Sequence, residues 1–78
     1  MKKQDELKQG CMARALDNEM TFVLLSRDAA SPEVIRFWCK RRIQLGLNKA
    51  NDHQIIEAQI CANAMERERE DIRSRLAK

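Results

Sequence analysis

The sequence is poor in the residue types that most often build active sites. It has no tyrosine, one tryptophan, two phenylalanines and one histidine in 78 residues. The histidine, His53, stands beside Asp52 where a helix is predicted to begin, which is more typical of a surface residue than of a general base. No serine or cysteine stands in a recognisable base–orienter arrangement, and there is no glycine-rich phosphate loop. We therefore predict that the chain is not an enzyme, has no catalytic residue and uses no cofactor.

Close cysteine pairs and long apolar runs are also missing. No signal-peptide pattern opens the chain, and no apolar run is long enough to cross a bilayer. Cys11, Cys39 and Cys61 are odd in number and lie far apart, whereas zinc sites usually bring their ligands in close pairs. Core packing is thus favoured over a Cys₃His metal site with His53. We expect reduced thiols, a cytoplasmic location, no metal and no membrane partner.

The length and net charge of the chain limit the number of domains and the kinds of partner it can have. Seventy-eight residues allow one domain over 1–78, and its hydrophobic 44% includes many small or flexible side chains. Small domains without disulfides or metals often gain stability by oligomerising. The net charge of +3 permits an anionic partner, but it falls short of the basic footprint of a committed nucleic-acid binder.

The N-terminal third gives mixed signals. Residues 1–9 are polar and are expected to be frayed. A weak helical pattern runs from about Asp5 to Leu16, and Gly10 interrupts it at a cost of about 1 kcal/mol relative to alanine. The apolar run Met20–Leu25 resembles a buried strand, yet the chain offers no second strand for it. It is a short helix, an extended segment packed on the helices, or a strand completed by another subunit, and we favour helical or extended packing.

The central segment carries clear helix signals. Ser31 is placed as an N-cap, with Pro32 at the first helical position and Glu33 at the positive end of the dipole. The helix is predicted over about 32–45, with Gly46 as its C-cap. Its predicted apolar face consists of Val34, Ile35, Trp38, Cys39 and Leu45.

The last helix is predicted to run from about Asp52 towards the C-terminus, and it has two apolar sides. The main stripe is Ile55, Ala58, Cys61, Ala62, Met65, Ile72 and Leu76. The second stripe is Ile56, Ile60 and Ala64. A helix with two apolar sides must be covered twice, once by the Trp38 helix and once by the N-terminal segment or another copy. The sequence thus predicts an all-α fold, a small bundle of about three helices that forms a homo-oligomer.

The end of this helix is a ladder of alternating charges. It offers the helical pairs Glu66–Arg69, Glu70–Arg73 and Asp71–Arg75, each worth a few tenths of a kcal/mol. This pattern is typical of a solvated helix end. The alternative is a short coiled-coil seam through Met65, Ile72 and Leu76.

A basic cluster surrounds the only tryptophan. Arginines beside an aromatic ring can hold a phosphate and stack a base. The predicted ligand-binding residues are Arg27, Arg36, Trp38, Lys40 and Arg42, with Arg41 beside them. The alternative is a solvated basic face balanced by Glu57, Glu66 and Glu68. A DNA-binding helix-turn-helix has poor support, because its second helix would begin with acidic and apolar residues.

Several segments together resemble small uncharacterised proteins encoded by phages and prophages. The resemblance spans residues 10–65, and the segments that carry it are Gly10-Cys11-Met12-Ala13, Phe22-Val23-Leu24-Leu25, Arg27-Asp28, Ser31-Pro32 with Trp38, and Glu57-Ala58 with Ala62 and Met65. It implies an accessory phage protein of the host cytoplasm that acts by binding. The leading hypothesis is an anti-defence protein that binds an anionic ligand, such as a nucleotide immune signal. The rivals are an inhibitor or adaptor of a host defence protein, which would use the charged C-terminal helix, and a weak DNA-binding module.

Overall fold

The computed structural model describes residues 2–76, without the side chain of Leu76. It contains the helices α1 (Lys3–Gln9), α2 (Cys11–Arg14), α3 (Ser31–Gln44) and α4 (His53–Leu76). No β-strand occurs within this range. The predicted all-α class with about three helices is therefore confirmed, with α2 as a single additional turn.

Helices α3 and α4 form a hairpin whose turn is set by Gly46. The Gly46 N–H donates to the Ile43 carbonyl and the Leu47 N–H donates to the Arg42 carbonyl, each over 3.0 Å. This pair of bonds is a Schellman motif, which needs a left-handed residue just after the helix. Gly46 supplies it with φ +73°. Gly46 therefore ends the helix as predicted, but it stands one residue after the C-cap, which is Leu45.

The start of α3 differs from the prediction. Ser31 is not the N-cap; it is the first helical residue, and its buried hydroxyl donates to the Leu25 carbonyl over 2.8 Å. Asp28 accepts the Ala30 N–H over 2.9 Å. Because Asp28 already fixes this turn, the Ser31 hydroxyl is free to anchor the preceding segment to the hairpin.

The core lies between α3 and α4 and is narrow. Its buried hydrophobic side chains are Cys39, Ile55 and Ala62, which are 2%, 0% and 0% exposed. The predicted face of α3 is thus only partly covered, since Val34 and Leu45 are exposed. Small side chains let the two helices approach closely, but they leave the flanks of the contact open to solvent.

Residues 2–25, called the arm below, stand apart from the hairpin. Among the described residues, α1 packs with α2, but neither packs against α3 or α4. Helix α1 forms where the sequence predicted fraying over 1–9, and Gly10 separates it from α2. Residues 20–25 form neither helix nor strand. None of the helices within residues 2–76 combines the length and hydropathy needed to span a bilayer.

The two predicted apolar stripes of α4 differ in how far they are buried. Ile55 and Ala62 of the main stripe are buried under α3, and its Ala58, Cys61, Met65 and Ile72 are half-buried. Leu76, also assigned to that stripe, has its side chain outside the described residues. On the second stripe Ile56 and Ile60 remain 43% and 54% exposed. The arm therefore does not supply the second cover that α4 requires.

Candidate functional site

The candidate site is the Trp38–Arg42 surface, formed by these two side chains near the C-terminal end of α3. They stand one turn apart on the helix and so share a face. The Arg42 guanidinium carbon lies 5.5 Å from the centroid of the Trp38 ring, within the range of a cation–π interaction. Trp38 keeps 38% of its surface exposed, so part of the indole remains open to a ligand.

Asn48 fixes the position of Arg42. The Arg42 Nε donates to Asn48 Oδ1 over 2.6 Å. The Asn48 Nδ2 donates to Asp52 Oδ2 over 3.0 Å and to Gln54 Oε1 over 3.2 Å. Both ends of the Asn48 amide are therefore engaged, which restrains the guanidinium it contacts. The Nη1 and Nη2 atoms of Arg42 make no hydrogen bond or ion pair to any residue within 2–76.

Asp52 is the acidic group nearest to this network. Its Oδ2 accepts the Lys49 N–H over 2.8 Å as well as the Asn48 amide. These two bonds, the Lys49 one first, lower the pKa of Asp52, so the carboxylate is charged at neutral pH. It stabilises the loop that carries Asn48, and it makes no ion pair with Arg42 among the described residues.

Arg36, another predicted ligand residue, serves the hairpin. It forms an ion pair with Glu66, and its Nη2 donates to Asn63 Oδ1 over 2.8 Å. The hydrogen bond from Arg36 is the main reason that the pKa of Glu66 is lowered. The guanidinium therefore ties α3 to α4, with its charge balanced by Glu66.

The five predicted ligand residues thus fall into four places. Trp38 and Arg42 are together, while Arg36 faces α4 and the exposed Lys40 lies one turn further along α3. Arg27 lines a groove beside the arm. Asn48 was not among the predicted site residues; the one available signal was the loop after Gly46, which returns the chain towards the end of α3.

The cysteines and His53 do not converge. In the part of the chain that the structure describes, no three His, Cys, Asp or Glu side chains are grouped to hold a metal. Cys39 is buried, and this burial raises the pKa of its thiol. Cys11 is exposed, and His53 is an exposed partner of Glu57 at 3.6 Å.

A large open groove, called the arm groove below, separates the arm from α4. Its volume is about 1380 Å³. Apolar side chains of both sides line it, including Phe22 and Leu24 from the arm and Ile60, Met65 and Ile72 from α4. A smaller cavity of about 310 Å³ beside Arg36 is lined by charges of both signs, which favours neither an anion nor a cation.

Comparisons of the chain with protein-family models, curated proteins and solved structures find no match.

Proposed function

We propose that the chain is a non-enzymatic binding protein that holds a nucleotide on the Trp38–Arg42 surface. The observation that carries the proposal is the restrained Arg42 guanidinium, which lies over Trp38 with its Nε on Asn48 and its two terminal nitrogens free of partners among the described residues. A guanidinium presented in this way matches the paired oxygens of a phosphate.

The two side chains divide the recognition between them. The exposed part of the Trp38 ring offers a stacking surface, and stacking on an aromatic side chain contributes about 1–3 kcal/mol per base. The Arg42 terminal nitrogens offer charge-assisted hydrogen bonds, which contribute about 1.5–3 kcal/mol each. Because Asn48 already restrains Arg42, less conformational entropy is lost on binding. Both contacts favour an aromatic anion over a simple one.

The resemblance to phage-encoded proteins supports a specific role for such binding. A small protein that binds without catalysis acts by lowering the free concentration of its ligand. We therefore propose an anti-defence role in which the chain sequesters a nucleotide signal of the host.

The test is a fluorescence titration, since Trp38 is the only tryptophan. Mono-, di- and cyclic nucleotides are titrated against the full chain and against Arg42→Gln, with Arg36→Gln as the matched control. We expect nucleotide binding to quench Trp38. Arg42→Gln should weaken binding roughly tenfold or more, the effect of losing one charge-assisted hydrogen bond. Arg36→Gln should change affinity little, because Glu66 balances its charge.

Three outcomes contradict the proposal. One is the absence of quenching by any nucleotide; another is a loss of affinity for Arg36→Gln but not for Arg42→Gln. The third is a preference for DNA with affinity that collapses as salt rises, which indicates a phosphate-backbone binder. If no nucleotide binds and a host protein does, the inhibitor hypothesis replaces it.

A further inference from the structure

A single copy exposes more surface than a folded monomer of its size. The chain has a solvent-accessible surface of 6683 Å² for a mass of 9.1 kDa, whereas monomers of that mass expose about 4900 Å². Its radius of gyration is 14.0 Å, against about 11.5 Å for a compact domain of this length. The excess of about 1800 Å² is roughly twice what each partner contributes to a standard protein interface.

Much of the exposed apolar surface lies on the arm groove. Met20 and Phe22 of the arm are 95% and 88% exposed, and Ile60 of α4 is 54% exposed. All three line the groove. Exposed apolar surface of this extent is typical of an interaction site.

The groove is open and large enough to admit part of a further helix. A helix with side chains is about 10–12 Å across and rises 1.5 Å per residue, so about ten residues fill roughly 1400 Å³. The groove measures about 1380 Å³. Helix α4 is the element of this chain that is long enough and has a second apolar side, the one with Ile60, still uncovered.

The charged residues that line the groove differ between its two sides. The arm contributes Lys2, Lys3 and Arg14 with Glu6 and Glu19, Arg27 follows directly after the arm, and α4 contributes Glu57 and Glu68. Lys2 and Glu68 already pair across the groove at 2.9 Å. Because basic residues outnumber acidic ones on the arm side and the charged lining residues of α4 are both carboxylates, the arm of one copy also complements α4 of another. A surface that complements itself produces a two-fold symmetric contact.

We propose that the arm groove receives α4 of a second copy, with each arm closing over the α4 of its partner. This inference goes beyond the proposed function and does not depend on it, because no residue of the Trp38–Arg42 surface lines the groove. The second apolar stripe of α4 then lies in the interface.

The test measures the mass of the full chain in solution by light scattering during size-exclusion chromatography. We expect twice the chain mass of 9.1 kDa, or a higher even multiple. Ile60→Glu on α4 and Phe22→Ser on the arm should each weaken association by about tenfold or more, as the loss of one well-buried apolar contact does. Phe37→Glu is the matched control, because Phe37 is 66% exposed on α3 and does not line the groove.

Phe22→Ser still tests whether association depends on the arm groove if Ile60→Glu fails to fold. Phe22 is 88% exposed in a single copy, so its replacement removes little packing from the fold of one chain. A wild-type mass of one chain at tens of micromolar overturns the proposal, even if another protein binds the groove. So does an oligomer that Phe22→Ser leaves intact, or one that Phe37→Glu dissociates as readily as Phe22→Ser.

Discussion

The hairpin buries a narrow apolar core and leaves other apolar side chains such as Phe37 and Leu47 exposed, whereas the arm buries no large apolar side chain at all. In residues 31–76 each hydrophobic residue of the core is covered by the facing helix, as with Cys39 and Ile55. In the arm Leu16, Met20 and Phe22 are 75%, 95% and 88% exposed. Only a few polar bonds join the two regions within the described chain, among them Lys2–Glu68 and the Ser31 hydroxyl on Leu25.

The difference shows which apolar side chains can be buried by segments that are close in the sequence. The hairpin needs only a tight turn and two neighbouring helices, and both are supplied by consecutive sequence. The arm has apolar side chains but no neighbouring helix to cover them. The core of the hairpin is therefore formed within one chain, whereas a single copy leaves most of the large apolar side chains of the arm exposed.

The largest effect is expected from truncating the hairpin core. Ile55 is fully buried and Ile56, the next residue, is 43% exposed. Ile55→Ala should lower the free energy of unfolding by about 3 kcal/mol, through lost burial and the cavity left behind. Ile56→Ala, the matched control, should cost much less. Thermal and urea unfolding followed by circular dichroism measure both, and equal losses would show that α3 does not cover α4 as described.

A smaller effect is expected at the hairpin turn. Gly46 has φ +73°, and a Cβ added there meets no other atom within 4 Å. Gly46→Ala should therefore cost only backbone strain, about 1–2 kcal/mol. Gly46→Asn should cost less, because asparagine tolerates the left-handed region. If alanine and asparagine are as stable as glycine in urea unfolding, Gly46 does not hold a Schellman motif in solution.

Acid should weaken the contact between α3 and α4. The hydrogen bond from Arg36 lowers the pKa of Glu66 in the folded chain. A carboxyl with a lowered folded pKa stabilises the fold above its unfolded pKa, and that contribution is lost as pH falls through the folded pKa. Glu66→Gln should thus flatten the acid side of a plot of melting temperature against pH. Glu70→Gln is the control, since its partner Arg73 lies 3.9 Å away at the surface; an equal flattening by both variants would contradict the assignment.

The smallest effect is expected inside the arm. The Glu6 carboxylate accepts the Met12 N–H over 2.8 Å and lies where a Cβ on residue 10 would be. Gly10→Ala should displace Glu6 and release this N–H, at a cost below about 1 kcal/mol for one hydrogen bond near the surface. The Met12 amide resonance in an NMR spectrum reports the change. Glu6→Ala should shift that resonance in the same way and Glu6→Gln much less; an unmoved resonance in Gly10→Ala would refute the contact.

Signals confined to neighbouring residues made the hairpin predictable. The predicted bounds of both long helices were correct to within a residue or two. Their signals were Pro32 and Gly46 at the ends of α3 and the apolar stripe from Ile55 to Ala62 on α4, and such capping and periodicity signals act over only one or two turns. Glu70–Arg73 and Asp71–Arg75 pair as predicted. Glu66 instead pairs with Arg36, a contact between helices that spacing along one helix cannot reveal.

The candidate site was only partly predictable for the same reason. Trp38 and Arg42 are one turn apart, so periodicity brings them together. Asn48 approaches Arg42 only because Gly46 reverses the chain. Residues 20–25 read as buried because of their composition, and a single chain leaves most of them exposed. An apolar composition indicates that a segment is suited to burial, but it does not identify what would cover it.

The most direct test of this account is the melting temperature of the full chain at protein concentrations spanning about two orders of magnitude. If a second copy covers the arm groove, association stabilises the folded chain by mass action, and the melting temperature rises with concentration. Phe22→Ser should abolish much of that rise. A wild-type melting temperature that stays constant across the series would mean that one copy satisfies its own apolar surface, and it would contradict the account.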